Sequence, residues 1–218
     1  VVTGGFERLV ETYESFFEGA SEDVDLRIDL LLKIARIQKE QLQNDRNAVN
    51  AYRRILEIDA RHMTAIVALD RLYEKLEMWV DLIELIPQEF ELFDDAREIV
   101  EQKLRLGRLW EEKLSDLDTA IEVYRQVIDQ YPDNITALTA LERIYEAKEN
   151  WEALIEIYRA MVRIARGDTK KARLYGKMGY LITFKLERAE EAIPMWERVL
   201  QFDETNEEIG RASCRERV

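Results

Sequence analysis

Cysteine is nearly missing from this chain: Cys214 is the only one among 218 residues. A disulfide framework and a cysteine metal site are both excluded. Histidine is as scarce, with His62 alone. Outside the C-terminal end there is no second His or Cys from which a metal or nucleophile cluster is built. No Gly-rich phosphate loop and no Gly-Lys-Ser/Thr occurs. No apolar run approaches the length of a membrane-spanning helix. Positive charge is in deficit: the formal net charge is −13, a poor match for phosphate backbones. We therefore expect no catalysis, no cofactor, no metal and no nucleic-acid partner. Glycine (8) and proline (3) are few, and alternating Val/Ile/Thr runs are absent. Leu, Ala, Glu and Arg dominate, which is the composition of a nearly all-helical protein.

What the chain does contain is a repeat. Residues 48–84 align without a gap on residues 120–156, with 15 of 37 positions identical. Tyr52 falls on Tyr124, Arg53 on Arg125, Leu69 on Leu141 and Arg71 on Arg143. Tyr73 falls on Tyr145, Trp79 on Trp151, and Leu82, Ile83 and Glu84 on Leu154, Ile155 and Glu156. A third copy begins at Ala192, with Trp196 in the place of Tyr124. The offset is 72 residues. Such a chain is an array of stacked units, each leaning on its neighbours.

Apolar residues recur at three and four spacing almost throughout. The pattern predicts eleven helices, near 6–17, 24–43, 46–58, 62–76, 79–93, 95–114, 117–130, 134–148, 151–166, 169–186 and 189–202. Asn44-Asp45, Asp116 and Asp133-Asn134 are good N-cap types. Pro132 and Gly167-Asp168 mark breaks. Pro87 falls inside a helical pattern and is expected to kink that helix or end it early. Pro194 is expected in a first turn, where proline is tolerated.

These helix pairs resemble tetratricopeptide repeats. The family's first helix carries a large residue, a small one and an aromatic; its second carries Ala and, four residues on, an aromatic. Leu106-Gly107, Trp110, Ala120, Tyr124, Val127 and Pro132 follow that pattern, with one extra residue between the helices. Met178-Gly179, Ile182, Ala192, Trp196 and Val199 follow it in the same way, and Ile34-Ala35, Ala48, Tyr52, Ile55 and Ala60 more loosely. Alternate units depart from it: Glu142 and Asp70 occupy the small-residue position. The resemblance implies an all-α, right-handed α-solenoid of stacked antiparallel helix pairs over residues 6–202. It implies packing roles for Trp79, Trp110, Trp151, Trp196, Tyr52, Tyr124, Gly107 and Gly179.

The same resemblance implies that the residue after the small position faces a concave groove. Those residues are Arg36, Arg71, Arg108 and Arg143, then Tyr180. An arginine ladder suits carboxylates or an acidic peptide. The competing expectation is self-neutralisation, because Glu74, Glu111 and Glu146 lie three residues after three of these arginines. Arg36 has Lys39 there instead. His62 aligns with Asn134 and reads as a helix start, not as a catalytic base. Asn134-Ile135-Thr136 matches a glycosylation sequon fortuitously, at a helix edge. The expected function is a non-enzymatic scaffold that binds a peptide or helix of a protein partner in the groove. The alternative is the regulatory or substrate-holding arm of a larger enzyme. A cytoplasmic and a periplasmic location both stay open.

The ends look cut. The chain starts at Val1, and Leu9, Tyr13 and Phe16 read as a second helix whose first helix is missing. Residues 203–208 read as the start of a cut-off next repeat. Ile209–Val218 breaks the pattern and resembles sequencing-adapter DNA read through as coding sequence. We expect that tail not to be natural protein.

Overall fold

The computed structural model describes residues 3–20, 23–90 and 95–202. Among them are eleven α-helices, one π-helical turn and no strand. The helices are α1 Thr3–Gly19, α2 Val24–Glu40, α3 Asp45–Ile58, α4 Met63–Lys75, α5 Trp79–Phe90 and α6 Ala96–Glu112. They continue as α7 Leu117–Gln130, α8 Ile135–Ala147, α9 Trp151–Ile164, α10 Asp168–Tyr180 and α11 Ala189–Phe202. This is the all-α helical-repeat architecture that the periodicity predicts, with helix ends within a few residues. The expected further repeat at 203–208 and the suspected tail at 209–218 lie outside the described residues.

The chain divides into two compact units, 1–102 and 103–218. In the first, α1 packs on α2, α2 on α3, α3 on α4 and α4 on α5. In the second, α7 packs on α8, α8 on α9, α9 on α10 and α10 on α11. Within each unit these helices thus bury their stripes against their sequence neighbours, the arrangement of a repeat array. The core is mostly aliphatic, with buried tyrosines among Leu31, Ile55, Ile66, Leu69 and Leu82 in the first unit and Leu138, Leu141, Ile144 and Leu154 in the second.

The helices start where side chains cap them. Oδ1 of Asn44 accepts from the Asn47 N–H at 3.1 Å, and Oδ1 of Asn134 accepts from Ala137 at 2.9 Å. Asp116 accepts from the N–H and the hydroxyl of Thr119, which hold its carboxyl below the usual carboxylate range. His62 takes the place of Asn134: its Nδ1 accepts from the Ala65 N–H at 3.3 Å. The Asn134 side chain is therefore occupied in a cap.

The helices stop in a less legible way. Gln43, Ser115 and Glu187 have φ of 50°, 56° and 56°, and they lie 72 residues apart. Glu77 and Glu149, also one period apart, have φ of 55° and 52°. In all three copies of the first turn a backbone N–H reaches back five residues, from Leu42 to Ile37, Leu114 to Leu109 and Leu186 to Leu181. These are left-handed terminations of the kind usually made by glycine, here made by residues with a Cβ.

One of the two helix prolines departs from expectation. Pro87 lies inside α5, which runs on to Phe90. Pro194 is not in a first turn: it is the sixth residue of α11, where its missing N–H leaves the Glu190 carbonyl without an intrahelical partner. Pro194 and Glu190 are both exposed, a setting in which solvent can satisfy a carbonyl.

Candidate functional site

The small-residue positions set how closely paired helices approach. A Cβ built on Gly107 of α6 lies 2.6 Å from Cε1 of Tyr124 on α7. One built on Gly179 of α10 lies 2.7 Å from Cε2 of Trp196 on α11. The ring of Tyr124 is 1% exposed, and its hydroxyl donates to Oε2 of Glu111 at 3.3 Å. Burial first, then Glu111, pushes the Tyr124 phenol far above its usual range, so it stays a donor. The four tryptophans Trp79, Trp110, Trp151 and Trp196 are all half-buried, and Tyr52 is 8% exposed.

The ladder residues Arg36, Arg71, Arg108 and Arg143 are all exposed, as is Tyr180. Arg36 and Arg71 lie in the first unit; Arg108, Arg143 and Tyr180 lie in the second. The expected same-helix neutralisation fails at Glu111. That carboxylate pairs with Arg143 of α8 at 2.7 Å, not with Arg108 of its own helix. It already accepts from Tyr124, and a carboxylate held there meets α8 more readily than the next turn of α6. Arg108 makes no ion pair among the described residues. Beside it α6, α7 and α8 enclose a cleft of ≈ 400 Å³. Its floor is Leu104, Tyr124 and Ala140, and its rim is Arg108, Thr136, Thr139, Ile135 and Arg143.

A second cleft of ≈ 630 Å³ lies between α8, α9 and α10. Tyr180 and Trp151 line it, with Leu154, Tyr158, Gly176, Leu181 and the charged side chains of Glu146, Arg173, Lys177 and Lys185. Lys177 pairs with Glu142 at 2.7 Å. Burial, with Glu142 beside it, pushes the Tyr158 phenol far upward.

Two features escaped the sequence reading. Nε of Arg53 donates to Oη of Tyr73 at 2.7 Å, and Arg125 repeats this bond to Tyr145 at 2.6 Å. All four residues are identical across the repeat, which is the signal that finds them. The π-helical turn Leu181–Lys185, which extends α10, has no such signal.

Family models described as Tetratricopeptide repeat match residues 29–62 and 103–134, and a second such model matches residues 137–172. These stretches begin in α2, α6 and α8. These stretches are tetratricopeptide repeats. The use of two models mirrors the two unit types of the sequence. No curated protein matches the tetratricopeptide chain. Among solved structures, YrrB, a TPR protein with an unusual peptide-binding site, is 15% identical over 94% of this chain and 98% of its own, with a TM-score of 0.43. MamA is 19% identical over 81% of this chain and 92% of its own, also with a TM-score of 0.43. BtubC from P. vanneervenii is 11% identical over 92% of this chain and 89% of its own, with a TM-score of 0.38. Superpositions of that quality carry no functional information.

Proposed function

We propose that this chain is a protein-interaction scaffold whose second unit binds a segment of a partner, as a peptide or a helix, along α6, α8 and α10. Tetratricopeptide repeats support a protein-interaction role and are typically non-catalytic. The observation that carries the reading is Arg108: an exposed guanidinium, without an ion-pair partner among the described residues, at the rim of a cleft with an apolar floor. A partner carboxylate there gains a forked, charge-assisted pair. Arg143 stands across the same cleft, although it already holds Glu111. Thr136 and Thr139 offer hydroxyls to a partner backbone.

Selection of a random peptide display library on the intact chain tests this. Peptides should be enriched, and Arg108→Glu should abolish their capture. Arg53→Glu, far along the chain on α3, should leave capture unchanged. Enrichment that survives Arg108→Glu, or no enrichment at all, contradicts the reading.

A further inference from the structure

The cleft between α8, α9 and α10 differs in kind from the one beside Arg108. Its wall is the half-buried indole of Trp151 at the start of α9, and its floor includes Leu154 and Tyr158. Gly176 of α10 lines it and brings no side chain into it. One period earlier in the sequence the residue is Leu104. The π-helical turn then displaces the chain by a residue relative to an α-helix. It leaves the ammonium of Lys185 5.0 Å from the centroid of the Trp151 ring.

The charges around this cleft are unbalanced. Glu142 neutralises Lys177. Arg173 and Lys185 are exposed and make no ion pair among the described residues. Glu146 is the single carboxylate in the lining. Two cations without ion-pair partners, against one carboxylate, thus flank an opening with an aromatic wall and an apolar floor, in a protein whose net charge is −13. That local sign is opposite to the sign of the whole molecule.

We propose that this cleft is an anchor pocket for one bulky apolar side chain of a protein segment whose adjacent residues are acidic. The proposal rests on the reading that the α6, α8 and α10 face binds a partner segment, and it names which segment. The apolar side chain lies against Trp151 and over Leu154. The flanking carboxylates meet Arg173 and Lys185, and the latter gives up part of its contact with the indole. A flexible single-stranded nucleic acid also offers rings and negative charge. It is disfavoured because the protein as a whole repels a polyanion, and a short acidic segment suffers far less of that repulsion.

Fluorescence anisotropy with labelled synthetic peptides tests the pocket on the intact chain. The probe is a central Phe with two Glu on each side. Replacing its Phe by Ala, or its four Glu by Gln, should each weaken binding about tenfold. The double variant Arg173→Glu with Lys185→Glu should weaken the Glu-flanked peptide about tenfold and leave the Gln-flanked one unchanged. Both substitutions are on exposed side chains, and an unchanged circular-dichroism melt confirms folding. Equal binding of the Phe and Ala peptides overturns the proposal, as does indifference to the double variant. If binding is then still lost in Arg108→Glu, the scaffold reading stands and only the anchor pocket fails. Tighter binding of oligouridylate than of the Phe peptide overturns the proposal in favour of a nucleic acid.

Discussion

Ala35 and Gly107 hold the same place in two copies of one repeat; Gly107 meets the ring of Tyr124, and the aligned ring in the first unit is Tyr52. The methyl group of Ala35 fits, with Ala35 fully buried and Tyr52 left 8% exposed. At Gly107 a methyl group has no room, and Tyr124 sinks to 1% exposure. The difference propagates. One turn further on, Lys39 in the first unit stands where Glu111 stands in the second. Glu111 joins Tyr124 of α7 to Arg143 of α8 by accepting from both, and a lysine accepts from neither. Removing one methyl group lets the ring enter deeply enough for its hydroxyl to need a buried acceptor, and that acceptor then recruits the next repeat. The first unit reaches the same helix pairing without this three-way junction.

The largest test of that contrast is Gly107→Ala against Ala35→Gly. Alanine is the better helix former, yet its Cβ must displace a buried ring. We expect Gly107→Ala to lose about 2 kcal/mol, an overpacking cost. Ala35→Gly should lose about 1 kcal/mol through helix propensity alone. Chemical denaturation of both variants measures the difference. Next is Glu111→Ala, which strands the Tyr124 hydroxyl and frees Arg143. It should cost about 1.5 kcal/mol, whereas Lys39→Ala should change stability by less than about 0.5 kcal/mol.

The two units agree in their left-handed helix ends, and that agreement is also testable. Ser115→Gly and Gln43→Gly should each stabilise by about 1 kcal/mol, because glycine relieves the Cβ clash of that conformation. A loss of stability in either would show that the side chain there makes a contact worth more than the strain. The last contrast concerns Arg53 and Arg125. Arg53 pairs with Asp81 as well as with Tyr73, whereas Ala153 stands at the aligned position in the second unit. Asp81 is 36% exposed, so Asp81→Ala should cost under about 1 kcal/mol. The tyrosine bond, present in both copies, holds that arginine in its absence.

The sequence displays the fold well because its signals are local. Three-and-four periodicity marks each helix, and Asn44, Asp116 and Asn134 mark starts by side-chain chemistry that acts three residues away. The 72-residue identity ties Arg53 to Arg125 and Tyr73 to Tyr145, but their pairing crosses from α3 to α4 and from α7 to α8, which spacing along one helix does not reveal. For the same reason Glu111 reads as a partner of Arg108. Which carboxylate meets which guanidinium depends on the neighbouring helix, and Tyr124 decides it. Gln43, Ser115 and Glu187 hide their conformation because left-handed ends usually advertise themselves as glycine. The cleft around Gly176 is invisible for a further reason: the π-helical turn that places Lys185 beside Trp151 changes the register without changing the composition. Exposed Arg108, by contrast, was already marked by the family pattern.

The most direct measurement is a map of amide and side-chain NMR shifts on the intact chain as the Glu-flanked Phe peptide is added. The account predicts shifts concentrated at Arg108, Tyr124, Thr139, Arg143, Arg173, Tyr180 and the Trp151 indole, with α3 and Arg125 quiet. Shifts centred instead on Arg53, Tyr73 and Arg125 would contradict it.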